Sequence, residues 1–494
     1  MGLVAKQSIW NTILLYAGVV IGYFNVTFFF PLVIGSEGYG LTRVILSVVF
    51  IAQHFAMLGT PSILMKFFPK FSDEGRSGLI RFGLGVLVIG LLVVCTSLFL
   101  LKDSIIHLKQ EDSPLFENYY LLCIPILIAL SLYLYMANLC RVHLQSVLPV
   151  FTYEFLFKLL TTLLLGFAWL YGWSLNSFLL AWAGLYFVNV LILFIYLLFT
   201  RKFDFGWDGS IKKPFLRESM DFGLFTMMAG ASNSIISNID IVMLGLLLTQ
   251  ESLARTGFYA IMVYLGNAVL MPTRGLGTIA SPLIAKFTEE GDNEKLKDMY
   301  VRTSLNQMVA TGFLLIGIFI NLRSLLIMID IPYDIGMPVF VLIGLTRLVQ
   351  SGTGVNGLLI NYSPLYRYTT LFIVGLAIVA VMSNYILIPK YALTGAALAS
   401  LISITGFEAL KWGFVWKRLG MQPFYHKHLL AIVLGIALLT VNYFLPVWEP
   451  LVLDILIRSS IVSLVALITI LKVDISPDLR NIVVKGLAKV GLNL

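Results

Sequence analysis

The sequence predicts an all-α integral membrane protein of about fourteen transmembrane helices, divided into two lobes by a polar connector. Three observations carry this. The 494 residues are 59% hydrophobic and only 12% charged, with a mean hydropathy of +0.91, whereas soluble chains carry roughly 25% charged residues. So apolar a chain cannot present a soluble surface, and its outer face must meet lipid. Apolar runs of about 20 residues, the length that crosses a bilayer core, recur fourteen times. Finally, the stretch 201–217, RKFDFGWDGSIKKPFLR, parts six of these runs from the other eight.

In order, the first six runs are Trp10–Phe30, Leu41–Leu64, Phe82–Leu101, Tyr119–Leu139, Val150–Tyr171 and Phe178–Phe199. Only Lys6 precedes the first, which continues past Pro31 without a small-residue cleavage site, so it reads as a retained span. The connector holds Arg201, Lys202, Lys212, Lys213 and Arg217, with Gly206, Gly209 and Pro214 breaking any regular pattern. After it come Phe222–Leu248, Gly257–Ile279, Val301–Asn321, Met337–Ile360, Tyr368–Ile388, Leu393–Val415, Leu429–Phe444 and Leu451–Ile470. The tail from Pro477 sets Ile482, Val483, Leu487 and Val490 at helical spacing beside Arg480, Lys485 and Lys489. That pattern predicts a basic amphipathic helix on the inner leaflet.

Lysine and arginine orient the spans, because cytoplasmic loops collect them. With the N-terminus inside, twenty-four of the 34 fall in cytoplasmic segments and five in outside ones, Lys102, Lys109, Arg255, Arg323 and Lys390. Both termini are therefore expected in the cytoplasm. The longest outside loop, Lys102–Asn118, is short, and its acidic residues Asp103, Glu111, Asp112 and Glu117 form no catalytic cluster. A membrane enzyme such as a glycan polymerase needs more than this, so the chain reads as a transporter and not an enzyme. The net charge of +8 follows the spans and gives no nucleic-acid patch. Cys95, Cys123 and Cys140 sit in or at the ends of apolar runs, an odd number that argues against a disulfide framework.

The two sides of the connector echo each other. Glu37-Gly38-Tyr39-Gly40 follows the first span and Thr256-Gly257-Phe258-Tyr259 follows the seventh. Leu58-Gly59-Thr60-Pro61, then Lys66-Phe67, ends the second; Leu276-Gly277-Thr278, then Pro282, Lys286 and Phe287, ends the eighth. Both pairs run out and back from the cytoplasm, as parallel repeats do, and transporters commonly hold substrate between such repeats.

Gly59-Thr60-Pro61 followed by Lys66-Phe67-Phe68-Pro69-Lys70-Phe71 resembles the second-span signature of bacterial polysaccharide exporters, the O-antigen and capsule flippases. Leu387-Ile388-Pro389-Lys390-Tyr391-Ala392-Leu393-Thr394-Gly395-Ala396-Ala397 is similar to their C-terminal signature. These belong to the larger superfamily of multidrug, oligosaccharidyl-lipid and polysaccharide exporters, and the resemblance covers essentially the whole chain through its spans. The family usually has glycine where this chain has Ala392, a departure that touches turn geometry more than activity. The resemblance implies two six-helix lobes in a V, residues 1–200 and 219–418, joined by the basic linker 201–218. Spans thirteen and fourteen (419–475) are added outside the core, before the tail 476–494. The implied activity is transfer of a polyprenyl-diphosphate-linked oligosaccharide from inner to outer leaflet in the bacterial inner membrane. Undecaprenyl-diphosphate glycan is the implied ligand and glycan polymerase machinery an implied partner.

Ionisable residues within spans cost at least ~2.5 kcal/mol each, so each is a functional candidate by default. The basic set is Arg43, Lys158, Arg274, Arg347 and Arg458. Guanidinium groups bind phosphate oxygens bidentately and lysine offers a point charge, so Arg43, Lys158, Arg274 and Arg347 are candidates for the diphosphate. Structural readings stand beside these: Arg43 and Arg274 lie near span ends, and Lys158 follows Glu154 at ion-pair spacing. Arg458 follows Asp454 at the same spacing, and that pair is assigned to structure. The acidic set is Glu154, Asp240 and Glu408; with Asn25, which matches Asp240 across the repeat, they are the candidates for coupling to H⁺ or Na⁺. Asp240 has Asn233, Ser237 and Asn238 close by, and Glu408 has Lys411 three residues on.

The segment Ser351-Gly352-Thr353-Gly354-Val355-Asn356-Gly357 reads either as an unwound part of span ten or as a close helix-packing face. It lacks the GK[ST] ending of a nucleotide-phosphate loop. His426 and His428 have no clustered third ligand, so no metal or other resident cofactor is expected. Two other cargoes fit the same fold: a cationic drug or metabolite for an antiporter, which favours acidic sites, and a peptidoglycan precursor. Basic in-span residues outnumber acidic ones here, which favours anionic cargo.

Overall fold

The structure, a computed structural model, describes residues 3–71, 73–108, 114–202, 213–365, 367–446, 448–473 and 475–489. Most of the connector, 203–212, lies outside the described residues, as does Val490 of the tail. Among the described residues every regular element is helical. The chain forms two compact units, Met1–Ala260 and Ile261–Leu494.

In the first unit, α1 (Leu3–Phe24) passes through a π-helical stretch, Asn25–Phe29, into α2 (Phe30–Met57). Leu58 and Gly59 both take left-handed backbone and stop α2; Pro61 then sits in the first turn of α3 (Thr60–Phe67). This left-handed stop and proline restart give the Gly59-Thr60-Pro61 signature its shape. Next come α4 (Asp73–Leu100), the short α5 (Lys102–Leu108) and α6 (Pro114–Tyr119), α7 (Cys123–Val142) and α8 (Val147–Val150). A second π-helical stretch, Phe151–Leu156, leads into α9 (Phe157–Tyr171). Ser174 caps α10 (Leu175–Phe199), its hydroxyl accepting from the Ser177 amide at 3.3 Å. The last helices here are α11 (Lys213–Leu247), which packs along α2, and α12 (Ser252–Ala268), which runs on into the second unit.

The two echoed motifs meet in this unit. A Cβ on Gly40 would lie 1.7 Å from the Leu253 carbonyl oxygen, and one on Gly257 would lie 2.7 Å from that of Ser36. Backbone therefore touches backbone where α2 crosses α12, and only glycine fits at either position.

The second unit contains α13 (Met271–Glu290), α14 (Asn293–Ile320), α15 (Leu322–Met328), α16 (Tyr333–Gly352) and α17 (Asn356–Tyr362). It continues with α18 (Arg367–Leu419), α19 (His426–Tyr443), α20 (Leu451–Lys472) and α21 (Pro477–Lys489). Ala280, Ile284, Leu296, Tyr300, Leu359 and Val415 form one buried core. Ile316 and Ile320 of α14 form a second with Leu438, Val462 and Ala466, which seats α19 and α20 on α14. The Asp454–Arg458 pair ties that corner together. Arg458 donates to Asp454 at 2.8 Å, to Asn442 at 2.7 Å and to the Pro446 carbonyl at 2.6 Å, and Ser324 donates to Asp454 at 2.8 Å.

By length and composition, ten described helices can cross a membrane, or eleven if the bent pair α12 and α13 is one span. The sequence count of fourteen is not reached this way, because apolar helices run together across kinks. Residues 9–57 form one continuous 49-residue stretch and α18 has 53 residues, more than twice what one crossing needs. Both fold back. In α18, Ser383 and Ser403 hydroxyls are 3.0 Å apart, and a Cβ on Gly395 would lie 2.2 Å from the Leu387 carbonyl oxygen. In a straight helix, residues twenty apart would be about 30 Å apart. The reversal centres on Ala392, whose backbone (φ 50, ψ −126) is one that glycine adopts freely and alanine does not. Residues 9–57 kink in the same way at Gly35 (φ 72), which brings the Phe30 and Tyr39 rings to 5.5 Å. The thirteenth expected span is α19, whose apolar part, His426–Thr440, is shorter than the others.

Candidate functional site

The second unit holds an open cavity of about 550 Å³ whose walls mix polar side chains with apolar ones. Its origin is the segment 351–357. Thr353, Gly354 and Val355 interrupt the helix between α16 and α17, with Gly354 at φ +61. The segment is also a packing face, since a Cβ on Gly354 would stand 2.9 Å from the Ser304 backbone of α14. The two sequence readings are one structure: the helix breaks where its glycine lies against a neighbour.

The break presents Thr353 and Asn356 to α18. Thr353 Oγ1 donates to Glu408 Oε2 at 2.7 Å and Asn356 Nδ2 donates to the same oxygen at 3.0 Å. Lys411 Nζ donates to Glu408 Oε1 at 2.7 Å. Glu408 is 2% exposed, so a carboxylate in the interior has three donors and one compensating charge. Around this group the cavity is lined by four amides, Gln307, Gln350, Asn356 and Asn361, and by the hydroxyl residues Thr273 and Ser281. Gln307, buried on α14, lines the cavity and has no hydrogen-bond partner among the described residues. Such a lining can hydrogen-bond a neutral polyhydroxyl group at many points while carrying no net charge.

Two of the sequence-derived arginines border this region. Arg347 on α16 is half-buried and donates to Gln350 Oε1 at 3.3 Å, the amide that lines the cavity. Arg274 follows Thr273 on α13; its side chain lies outside the described residues. Glu408, Arg347 and the backbone of residue 274 are thus gathered in one unit.

The first unit holds the other candidates. Lys158 donates to Glu154 Oε2 at 2.9 Å, and both are partly exposed, 24% and 31%. Asn25, 3% exposed, donates to the Lys158 carbonyl at 2.9 Å and accepts from the Thr162 hydroxyl at 2.8 Å. Asn25 and Glu154 each sit in a π-helical stretch. Such a stretch frees a backbone carbonyl from the regular ladder, and Asn25 binds in that irregular neighbourhood. Arg43 stands apart from this cluster. Its guanidinium lies 5.9 Å from the centre of the Tyr39 ring. Among the described residues it has no ion-pair or hydrogen-bond partner.

Asp240 on α11 is 6% exposed. Its carboxylate accepts from the Tyr259 hydroxyl of α12 at 2.6 Å and from the Ile241 amide at 2.9 Å. The neighbours picked from sequence make local bonds: Ser237 donates to the Asn233 carbonyl and Asn238 to that of Ser234. Among the described residues no three His, Cys, Asp or Glu side chains cluster as a metal site.

This geometry can be set beside known proteins. Residues 4–288 match the polysaccharide biosynthesis protein family. The chain belongs to that family. No curated protein sequence matches it. Among solved structures it is similar to an inward-closed lipid II flippase MurJ, with TM-score 0.73, 13% identity, and coverage of 94% of this chain and 98% of the other. It is also similar to an inward-facing multidrug-resistance transporter of the MATE family in the MOP superfamily, with TM-score 0.64, 14% identity, and coverage of 84% and 94%. A MOP superfamily transporter from Pyrococcus furiosus matches at TM-score 0.54, 15% identity, and coverage of 84% and 95%. These likenesses fix the fold of this polysaccharide biosynthesis family member as the one those membrane transporters share.

Sequence reasoning singled out the segment 351–357, which holds Thr353 and Asn356, but gave those side chains no partner and missed Gln307, Gln350 and Asn361. An uncharged Gln or Asn in an apolar run gives no penalty signal, and Gln307 lies about 100 residues from Glu408 in the chain. The one available hint was the polar density of 350–361, which carries Gln350, Ser351, Thr353, Asn356 and Asn361 within twelve residues of a predicted span.

Proposed function

We propose that this protein is a flippase that moves a polyprenyl-diphosphate-linked oligosaccharide from the inner to the outer leaflet of a bacterial inner membrane by alternating access. The observation that carries the reading is the charge-neutral, amide-rich cavity in a member of the polysaccharide biosynthesis family. Sugar hydroxyls are donors and acceptors at once, and the Gln, Asn, Ser and Thr side chains of the cavity match both roles. Arg43 in the first unit and Arg347 in the second are basic groups suited to the phosphates, with Arg274 as a third. Lys158 serves the phosphates only if it leaves Glu154. Asp240 is suited to proton exchange, since protonating it keeps its bond to the Tyr259 hydroxyl with the donor reversed; Glu408 is the alternative coupling group.

An antiporter for cationic cargo is favoured by one observation, the buried carboxylate on the cavity wall. Lys411 offsets that charge, which weakens the case for a cation. Both termini in the cytoplasm, and work beside a glycan polymerase, complete the reading.

The test is restoration of surface glycan in a flippase-deleted bacterium by the native chain, Arg347→Ala, Arg43→Ala and Gln307→Leu at matched membrane levels. The expected outcome is export by the native chain and at least tenfold less by each arginine variant, where a charge-assisted hydrogen bond worth roughly 1.5–3 kcal/mol is lost. A smaller loss of a few-fold is expected for Gln307→Leu, where a neutral one worth roughly 0.5–1.5 kcal/mol is lost. Full export by all three variants would refute the site. Failure of the native chain across hosts supplying several glycans would move the antiporter forward.

A further inference from the structure

We infer that His428, at the start of the helix pair α19–α20 outside the six-helix core, is a positioning residue for the cavity, acting through Ser304 on the break between α16 and α17. The inference rests on the cavity being the working site of the proposed transporter.

The chain of contacts has one direction. Ser304 Oγ donates to the Gly352 carbonyl, and a carbonyl can only accept, so the Ser304 proton is spent there. His428 Nε2 lies 2.9 Å from the same Ser304 oxygen and must therefore be the donor. The other ring nitrogen agrees independently: the Tyr425 amide donates to His428 Nδ1 at 3.4 Å, which makes Nδ1 the acceptor and leaves the proton on Nε2. The imidazole is thus held neutral in one tautomer, and the sequence Nε2–H to Oγ–H to carbonyl is fully paired.

Each link is buried. His428 is 4% exposed and Ser304 0%, and the ring is walled by Phe424 and Tyr425 at 5.5 Å and 5.2 Å. At the far end the carbonyl is one of the last of α16, which the ended helix leaves without an intrahelical donor. The next residue is Thr353, which holds Glu408, and the one after is Gly354, whose backbone rests on Ser304. Ser304 thus fixes the break sterically and by hydrogen bond, and His428 fixes Ser304. The apolar seat of α19 and α20 on α14, through Leu438 and Val462 against Ile316 and Ile320, keeps the imidazole in register. The added helix pair therefore sets the position of Thr353 and Asn356, and through them the carboxylate on the cavity wall.

The test uses the full-length protein with its three cysteines replaced by serine or alanine and Asn361→Cys added as a reporter on the cavity wall. His428→Phe keeps the ring packing and removes the donor. His428→Gln keeps an N–H at a similar reach. Ser304→Ala removes the relay oxygen and carries the test where His428→Phe does not fold. The expected result is a change of about tenfold, the scale of one lost buried hydrogen bond, in the maleimide labelling rate of the reporter thiol for His428→Phe and for Ser304→Ala. The double variant should change no more than either single one, and His428→Gln should return to within about twofold. Unchanged labelling in both single variants, or no rescue by His428→Gln, would overturn the inference. Glycan export in the same variants separates the two readings. Altered labelling with no export by the native chain in any host leaves the positioning role intact and defeats the flippase reading.

Discussion

Each unit holds a lysine–glutamate pair inside its spans, and the two pairs are built differently. In the first unit Glu154 and Lys158 lie one turn apart on a helix that stays continuous through a π-helical stretch. Both are part exposed, and Asn25 and Thr162 close the neighbouring backbone. In the second unit Glu408 and Lys411 face a helix that is broken outright, and the break supplies Thr353 and Asn356 to the carboxylate. That pair is nearly enclosed, 3% and 12% exposed, beside the cavity of about 550 Å³. The difference shows what a helix defect does. A π-helical stretch shifts one carbonyl and keeps the wall closed, so it braces. A break opens the wall and orients side chains from both stumps, so it makes a site.

The contrast makes graded predictions. The largest effect is expected at Glu408→Ala, which leaves Lys411 charged and without its partner, a loss of about 3–5 kcal/mol. It should appear as a sharp fall in the thermal midpoint, with Glu408→Ala/Lys411→Met recovering most of it. Equal midpoints for the single and double variants would mean that the pair is not coupled as drawn. Next comes Gly354→Ala, which forces alanine into a left-handed backbone against Ser304, at about 1–3 kcal/mol. Gly357→Ala, where an added methyl meets nothing within 4 Å, is its control. A penalty at Gly357 as large as at Gly354 would locate the break elsewhere. The smallest effect belongs to the first unit: Glu154→Gln/Lys158→Met removes a part-exposed pair together and should move the midpoint by less than about 1 kcal/mol. A cost there comparable to Glu408→Ala would reverse the comparison.

Much of the fold was legible because a bilayer sets a length, and a run of some twenty apolar residues declares itself. The count of spans differs, fourteen from the sequence against ten or eleven membrane-length helices among the described residues. Pro389-Lys390-Tyr391 marks a turn to a reader of residues, while the backbone carries helical geometry almost through it and turns back at Ala392. Charges were legible for the same reason as spans, since a charge in an apolar run stands out. Spacing also carried the pairings of Glu154 with Lys158, Glu408 with Lys411 and Asp454 with Arg458, because i,i+3 and i,i+4 neighbours share a helix face. What spacing cannot carry is a partner on another helix. Thr353 and Asn356 for Glu408, Tyr259 for Asp240, and Ser304 for His428 lie from 19 to 124 positions away. Arg43 illustrates the reverse limit, for its lack of an ionic partner among the described residues is a fact of packing that no motif records.

The crossing of α2 and α12 at Gly40 and Gly257 has a mechanical consequence. Most helix contacts interdigitate, and to change their angle side chains must leave one set of grooves and enter another. Here backbone meets backbone at Gly40 and Gly257, with no side chain of either residue between them. A contact of this kind has fewer grooves to re-mesh when its angle changes than an interdigitated one, and it sits where the repeated glycine motif falls.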